Sequence, residues 1–300
     1  MCGIVGILGR HEVSPIILEA LRRLEYRGYD SAGIATCNEG TLERRRAVGK
    51  LYNLSDLLVR EPLRGKAGIG HTRWATHGAV TLDNAHPHQA GPVAVVHNGI
   101  IENFRALRAE LAQAGNGFES ETDTETVAQL TRQHMAQGLS PVDAAVATLD
   151  RLRGAFALCF LFEGEEDLMV AARRGPPLAI GHGEGEMFVG SDAIALAPLT
   201  GRITYLEDGD RAVVTRAGAS IFDETGAPVE RAAVRIERAA TQVDKGGHRH
   251  FMAKEIAEQP AVLGAVLEAY RVGSASGIAL PEEIDFTACD RLLLVACGTA

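Results

Sequence analysis

The chain begins Met1-Cys2-Gly3-Ile4-Val5-Gly6-Ile7, and the interpretation of everything that follows depends on this stretch. Isoleucine and valine between glycines predict a short buried strand over residues 2–8. If Met1 is removed, Cys2 carries both a nucleophilic thiol and an α-amine with an ordinary pKa of about 8. One residue then supplies nucleophile and base. The alternative is that Cys2 is simply a small buried residue of the first strand.

The composition indicates a globular chain with a sizeable core, since 46% of its 300 residues are hydrophobic. The longest uninterrupted apolar run, residues 155–162, is too short to cross a bilayer, and the amino terminus lacks the basic and apolar regions of a signal peptide. We therefore expect a cytoplasmic protein without a membrane partner. The net charge of −9 argues against nucleic acid and favours a small substrate.

Cysteine and histidine spacings give no pattern typical of a metal site. The five cysteines are scattered, without a CxxC pair or a disulfide framework. His77, His86 and His88 lie close together in the sequence, but no acidic or cysteine ligand follows at a suitable spacing. We expect no metal and interpret these histidines as hydrogen-bonding residues.

Helical and strand signals alternate along the first half of the chain, and short strands dominate after residue 154. Ser14-Pro15 predicts a helix with Ser14 as its N-cap. Gly181 to Gly185 joins two strands and predicts a hairpin. The predicted strands are 2–8, 31–37, 42–48, 67–70, 93–97, 155–162, 168–172, 178–181, 187–190, 203–206 and 211–215, with a further buried strand that enters a small-residue loop within residues 291–300. This order favours an α/β fold in which two packed sheets are flanked by helices.

A polar stretch without periodicity runs from His71 to about Gly91, and loops of this length are usually functional or disordered. The guanidinium of Arg73 matches a carboxylate with two parallel hydrogen bonds, as an amino-acid site requires. Taken alone, Arg73 is equally interpreted as a surface ion-pair residue. Trp74 is either a core or rim residue or a lid over a ligand.

Two further positions each allow a structural and a functional interpretation. Asn98-Gly99 is either an ordinary turn or a pair of N–H donors directed at a developing oxyanion. Thr122 and Glu125 have the spacing of a capping box, so Asp123 either stabilises the helix dipole or binds a substrate ammonium. For Asp123 both interpretations can hold together.

These motifs, taken together, resemble the family of isomerising glutamine:fructose-6-phosphate aminotransferases over nearly the whole chain. The matching segments are CGIVG at 2–6, LEYRGYDSAG at 24–33, HTRWATHG at 71–78, HNGIIEN at 97–103 and HFMAKEIAEQP at 250–260. Three other classes of glutamine-dependent enzymes use an N-terminal cysteine in the same way: the amidotransferases of purine biosynthesis, the asparagine synthetases and the glutamate synthases. The segments at 24–33, 71–78 and 250–260 favour the hexosamine enzyme over them.

The resemblance implies an N-terminal-nucleophile hydrolase with a four-layer αββα sandwich, and a glutaminase reaction without a cofactor. The catalytic residues that it implies are Cys2, Asn98 and Gly99. The substrate-binding residues that it implies are Arg73, Trp74, Thr76, His77 and Asp123. Among these, Arg73 and Asp123 would hold the α-carboxylate and α-ammonium of glutamine, and Trp74 would close over the ammonia exit.

The resemblance also predicts a division of the chain into domains. Residues 1–238 would form a class II glutamine amidotransferase domain, 239–250 a linker, and 251–300 the start of a doubly wound α/β sugar-isomerase domain. In the family, ammonia from glutamine converts fructose 6-phosphate to glucosamine 6-phosphate, the first step of hexosamine biosynthesis. We expect only the glutaminase half-reaction from residues 1–300, and a homo-oligomer for the full-length enzyme.

A function of another class stays open at this point. The chain could be a catalytically silent module that senses glutamine. Retention of Met1 would favour this alternative, because it would block the Cys2 amine.

Overall fold

The computed structural model describes residues 2–75, 78–236, 248, 251–272, 277–278 and 291. The chain divides into two compact units, Met1–Val243 and Asp244–Ala300. Of the predicted linker 239–250, only His248 is among the described residues. In the described part of the chain, no helix is long and apolar enough to cross a membrane.

The first unit is built mainly from strands. In chain order, they are β1 Gly3–Leu8, β2 Ser31–Asn38, β3 Thr41–Val48, β4 Ala67–Arg73, β5 His88–Ala90, β6 Val93–Ile101, β7 Gly154–Phe162, β8 Met169–Arg174, β9 Ala179–His182, β10 Met187–Gly190, β11 Arg202–Tyr205, β12 Arg211–Thr215, β13 Gly218–Phe222, β14 Pro228–Val229 and β15 Ala233–Arg235. The helices are α1 Ser14–Arg22, α2 Leu51–Arg60, α3 Phe104–Gln113, α4 Asp123–Ala136, α5 Pro141–Arg151 and α6 Ala193–Leu196, with a short 3₁₀ helix at Glu25–Arg27.

The strands form two sheets. Sheet A has eight strands in the order β15-β11-β9-β10-β1-β4-β2-β3, and sheet B has seven in the order β14-β13-β12-β8-β7-β6-β5. Strand β1 is central in sheet A and pairs antiparallel with β10 on one side and β4 on the other. Its register sets Gly3 opposite Thr72, which brings Cys2 beside Arg73.

Alternating side chains on the strands create three apolar layers. In β1, Ile4 and Leu8 point into the core between the two sheets, whereas Val5 and Ile7 pack against the helices on the outer face. Helices α1, α2 and α6 cover the outer face of sheet A, and α3, α4 and α5 cover that of sheet B. The layer order is therefore αββα, as predicted.

Two strands extend three or four residues farther than the sequence predicted, and both extensions carry polar residues. Strand β4 continues from residue 70 to Arg73, because it is paired with β1 and β2 on its two sides. Strand β6 continues from residue 97 to Ile101 along β7. The Asn98-Gly99 pair therefore lies inside a strand, and its interpretation as an ordinary turn is wrong. The predicted polar loop is correspondingly shorter.

Three other details complete the comparison with the predicted elements. The N-cap of α1 is Val13 and not Ser14, and no side chain caps this helix. The hairpin predicted at Gly181 to Gly185 is confirmed by the antiparallel pairing of β9 with β10. Strands β5, β13, β14 and β15 were not predicted. Strand β5 has only three residues and lies in the stretch predicted as a loop. Strands β13, β14 and β15 lie toward the ends of their sheets and are mostly not buried, so the apolar alternation that marks a strand is weak in them.

In the second unit, the structure describes a helix at Phe251–Ala269 and two short antiparallel strands, Arg271–Val272 and Gly277–Ile278. The buried strand predicted near the chain end, on which the expectation of a doubly wound domain depended, lies outside the described residues except for Arg291. That domain assignment stays a prediction.

Helix α1 approaches sheet A closely because the strand beneath it carries glycine. A Cβ atom on Gly70 would lie 2.3 Å from Ile17 Cγ2 and 3.0 Å from Leu21 Cδ1. Such distances are shorter than van der Waals contact, so a side chain at Gly70 would push α1 away from the sheet that carries Cys2.

We predict that Gly70→Ala lowers the free energy of unfolding by about 1–3 kcal/mol, because the added methyl group overpacks this contact. Urea unfolding followed by circular dichroism measures the change. Gly117→Ala is the matched control, since an added Cβ there meets no atom within 4 Å and the residue is exposed. Equal midpoints for the two variants would contradict the packing argument.

Candidate active site

Cys2 is held at the end of β1 by hydrogen bonds to the loop that follows β10. Ile4 N donates to Ser191 Oγ at 2.9 Å, and Ser191 N donates to Ile4 O at 3.0 Å. The next residue, Asp192, accepts hydrogen bonds from Arg27 and Tyr26. These contacts fix the backbone from which the Cys2 thiol projects.

The thiol of Cys2 contacts the backbone of Trp74. Trp74 N donates to Cys2 Sγ at 3.3 Å, and Sγ donates to Trp74 O at 3.6 Å. Burial raises the pKa of the Cys2 thiol above its ordinary value of 9.0, and the Trp74 hydrogen bond offsets part of this effect. At neutral pH the thiol is therefore protonated, and a base must remove its proton before it can attack.

Asn98 and Gly99 lie in β6 next to Cys2. Asn98 Nδ2 donates to Cys2 O at 3.1 Å, and Asn98 Oδ1 lies 3.0 Å from His71 Nε2. Gly99 has a φ of +123°, and a Cβ atom there would lie 2.1 Å from Ala155 O. Only glycine fits this backbone conformation and this contact, which explains the residue type at position 99.

Arg73 is the last residue of β4 and is buried, with 4% of its surface exposed. Its Nη1 donates to Ala79 O at 3.3 Å. Asp30 holds the backbone on either side: its N–H donates to Arg73 O at 3.1 Å, and its carboxylate accepts from Ala75 N. The interpretation of Arg73 as an exposed ion-pair residue is therefore wrong.

Trp74 presents its ring at the surface, where 46% of the residue is exposed. The ring packs edge-on against Tyr29, with centroids 5.4 Å apart. Gly28, next to Tyr29, lies against the backbone of Arg73. A Cβ on Gly28 would lie 2.8 Å from the Arg73 carbonyl carbon, so only glycine allows this contact. Thr76 and His77, expected to contact substrate, lie outside the described residues.

Asp123 is the first residue of helix α4, a position at which a carboxylate stabilises the helix dipole. The carboxylate lies in the first turn of α4, and its Oδ2 accepts from Ile101 N at 2.8 Å. Thr122 caps the helix by accepting from Glu125 N, but the Glu125 carboxylate accepts from Glu119 N and Ser120 N instead of returning to Thr122. The capping box is thus only half formed.

Four buried histidines lie next to these residues, and three of them contact Thr122 or Thr124. The four are His71, His86, His88 and His97. His86 Nε2 and His97 Nδ1 each lie 2.9 Å from Thr124 Oγ1, and His88 Nε2 lies 3.0 Å from Thr122 Oγ1. Burial lowers the pKa of all four, to about 3 for His71. His86 and His88 form hydrogen bonds, as the sequence predicted.

One pocket brings most of the predicted site residues together. It is lined by Cys2, Arg73, Trp74, His86, His97, Gly99, Thr122, Asp123 and Thr124. Asn98 adjoins it through the hydrogen bond to Cys2 O. A thiol, a guanidinium, a carboxylate and backbone amides thus share one cavity, and within the described residues no group of acidic, cysteine and histidine side chains could hold a metal ion.

Sequence reasoning missed the residues that support this pocket. They are His71, Asp30, Gly28 and Tyr29. Gly28, Tyr29 and Asp30 lie in the segment at 24–33 that carries the family resemblance, and His71 opens the segment at 71–78. The motifs therefore contained a signal, but the spacing alone did not indicate what each of these residues contacts.

Residues 79–198 match the family model described as a glutamine amidotransferase domain. This stretch therefore resembles a glutamine amidotransferase domain. The solved glutamine phosphoribosylpyrophosphate amidotransferase from B. subtilis superposes on 74% of this chain and 49% of its own, with a TM-score of 0.64 and 28% identity. The similarity of the two structures, together with the αββα layers, identifies the fold of this chain as the sandwich of N-terminal-nucleophile amidotransferases.

Curated relatives match this chain along its whole length. The proteins named glutamine–fructose-6-phosphate aminotransferase (isomerizing) are 58% identical in Brucella abortus, 59% in Mesorhizobium japonicum and 53% in Caulobacter vibrioides, over 100% of this chain. The chain spans about half the length of these relatives, 50% in each case. The resemblance seen in the motifs thus extends along the full sequence.

The four buried histidines make the stability of the first unit depend on pH. Each has a folded-state pKa below the ordinary 6.5, so the unfolded chain binds more protons below that pH. Their contribution is fully present above pH 6.5 and is lost as the pH falls below it.

We predict that the free energy of unfolding falls between about pH 7.5 and about pH 5.5, and that His88→Gln reduces this fall by about 1.4 kcal/mol. Urea titrations of the parent and His88→Gln chains at the two pH values measure the free energy of unfolding. His11→Gln, at an exposed position, is the control and should leave the fall unchanged. A fall of the same size in His88→Gln and in the unsubstituted chain would contradict the assignment.

Proposed function

We propose that this chain hydrolyses glutamine to glutamate and ammonia, with Cys2 as an N-terminal nucleophile. The observation that carries the proposal is the single pocket shared by the Cys2 thiol, the Arg73 guanidinium and the Asp123 carboxylate. These three groups match the three parts of glutamine: the amide carbon that is attacked, the α-carboxylate and the α-ammonium.

The chemistry begins with removal of Met1, which turns the backbone nitrogen of Cys2 into a free amine. This amine takes the thiol proton while Sγ forms a bond to the amide carbon of the glutamine side chain. The same amine then gives the proton to the leaving nitrogen, so that ammonia departs and a thioester remains. Water adds to the thioester, and glutamate leaves as the thiol is restored.

Asn98 and Gly99 stabilise the charge that develops during attack. The Asn98 Nδ2 atom is already within hydrogen-bond distance of the Cys2 backbone, at 3.1 Å from Cys2 O. The Gly99 N–H is the second donor for the tetrahedral oxyanion. Each donor of such a pair contributes on the order of a hundredfold or more in rate, because it is in place before the charge appears.

Substrate selection rests on two oppositely charged groups at the ends of adjacent elements. Arg73, at the end of β4, binds the α-carboxylate, and Asp123, at the start of α4, binds the α-ammonium. Ile101 N already holds Asp123 Oδ2 at 2.8 Å, so the carboxylate is oriented before substrate arrives. Thr76, His77 and Trp74 are further substrate contacts, and Trp74 closes over the ammonia exit.

For the complete enzyme we propose that the ammonia converts fructose 6-phosphate to glucosamine 6-phosphate. The proposal is supported by the name of the relatives, which gives glutamine and fructose 6-phosphate for an isomerizing aminotransferase. Identities of 53–59% over the whole chain support this over the purine amidotransferase, which is 28% identical. Residues 1–238 are then the glutaminase domain and 251–300 begin the sugar-isomerase domain. The enzyme is a cytoplasmic homo-oligomer that needs no nucleic acid, membrane or cofactor.

We predict that Cys2→Ala abolishes glutamate release from glutamine, because the nucleophile is lost. An enzyme-coupled glutamate assay measures the rate, and mass spectrometry of the intact protein establishes that Met1 has been removed. Cys37→Ala is the control, since that thiol is buried in the core between the sheets and outside the pocket. A processed Cys2→Ala chain with undiminished activity would refute the mechanism. An inactive parent chain with a free Cys2 amine would instead favour the glutamine-sensing module.

We predict that Arg73→Lys raises the glutamine KM at least tenfold with a smaller effect on kcat. The reason is that an ammonium cannot form two parallel hydrogen bonds to a carboxylate. A tenfold change in KM corresponds to about 1.4 kcal/mol of binding free energy. Steady-state glutaminase kinetics measure both constants. Arg60→Lys, on the exposed end of α2, is the matched control. An unchanged KM in Arg73→Lys would remove Arg73 from the substrate-binding set.

A further inference from the structure

His71 connects the two sheets at the position of Asn98. The residue belongs to β4 of sheet A and is fully buried. Its Nε2 atom lies 3.0 Å from Asn98 Oδ1 and 3.0 Å from His97 O, both of which belong to β6 of sheet B. A single ring nitrogen therefore contacts a side-chain oxygen and a backbone oxygen of the neighbouring strand.

The two partners determine the state of the His71 ring. Both are oxygen acceptors, so the nitrogen that faces them must carry a proton. Burial lowers the pKa of His71 to about 3, so the ring is neutral at physiological pH and has one N–H group. That group is at Nε2 and donates to Asn98 Oδ1.

The same contact determines which way the Asn98 amide points. With its oxygen on the His71 N–H, its Nδ2 faces Cys2 O and donates to it at 3.1 Å. If the amide were turned over, its NH₂ group would meet the His71 N–H and its oxygen would meet a carbonyl oxygen. Both contacts would be repulsive, so His71 allows only one orientation.

We propose that His71 is a positioning residue for the oxyanion hole: it holds the Asn98 amide with Nδ2 turned toward Cys2, so that the second N–H of Nδ2 can meet the oxyanion. This inference rests on the proposed glutaminase function. The terminal torsion of an asparagine side chain has broad minima, so without the His71 donor the amide is oriented less tightly, by its hydrogen bond to Cys2 O. A donor that must be reoriented during the reaction stabilises the transition state less than one already in place.

The test compares two substitutions at His71. His71→Leu removes the donor, and His71→Gln restores an N–H at the end of a side chain of similar reach. We expect kcat for glutamate release to fall about 10–100-fold in His71→Leu and to stay within about fivefold of the parent in His71→Gln, with KM little changed in both. His182→Leu is the control, because this histidine is in the same sheet and contacts Thr204 outside the pocket.

A double-mutant cycle with Asn98→Ala separates positioning from a general structural effect. If His71 acts through Asn98, His71→Leu has no further effect on kcat once the Asn98 amide is gone. If the two losses multiply, or if His71→Gln is as impaired as His71→Leu, the inference is overturned. Equal thermal unfolding midpoints of His71→Gln and the parent establish that the comparison is between folded proteins.

The outcomes also distinguish this inference from the function on which it rests. An impaired Asn98→Ala together with a fully active His71→Leu overturns the role of His71 alone. A fully active Asn98→Ala overturns the oxyanion hole itself. Activity in processed Cys2→Ala overturns the glutaminase mechanism.

Discussion

The fold depends on the pairing of one short strand on both of its edges. Strand β1 lies between β4 and β10, and its side chains are buried on both faces. A strand constrained in this way cannot shift its register without exposing every apolar residue that it buries. The position of Cys2 is therefore set by the core of the protein and not by a flexible terminus. Ser191 strengthens the constraint through its two hydrogen bonds to Ile4.

The polar contacts between the two sheets are concentrated beside β1. The core between the sheets is apolar over most of its extent, with Ile4, Ala94 and Cys159 among its members. At one end it gives way to buried histidines, threonines and Asn98. A buried polar group that lacks a partner costs about 1–3 kcal/mol, so such a network restricts the sheets to one relative arrangement. The same polar contacts therefore fix both the positions of the site residues and the packing of the two sheets.

The sequence predicted the layers, most strands and the pocket residues Cys2, Arg73, Gly99 and Asp123, because apolar periodicity and specific motifs carry those signals. It did not predict that β6 continues through Asn98. The polar side chains there resemble a loop until the pairing with β7 is known. Nor did it predict the role of His71, since its contact with β6 joins residues of different sheets. Local patterns cannot specify which strands face each other across a sandwich.

Trp74 determines the intrinsic tryptophan fluorescence of the protein, because of its sequence and its position in the fold. It is the one tryptophan among the 300 residues, and its backbone contacts the Cys2 thiol while its ring is 46% exposed beside Tyr29. Intrinsic fluorescence excited at the red edge of the indole band therefore comes from a single site at the mouth of the pocket. Changes in solvent around that ring can be followed in the unlabelled protein, without an engineered probe and without a background from other indoles.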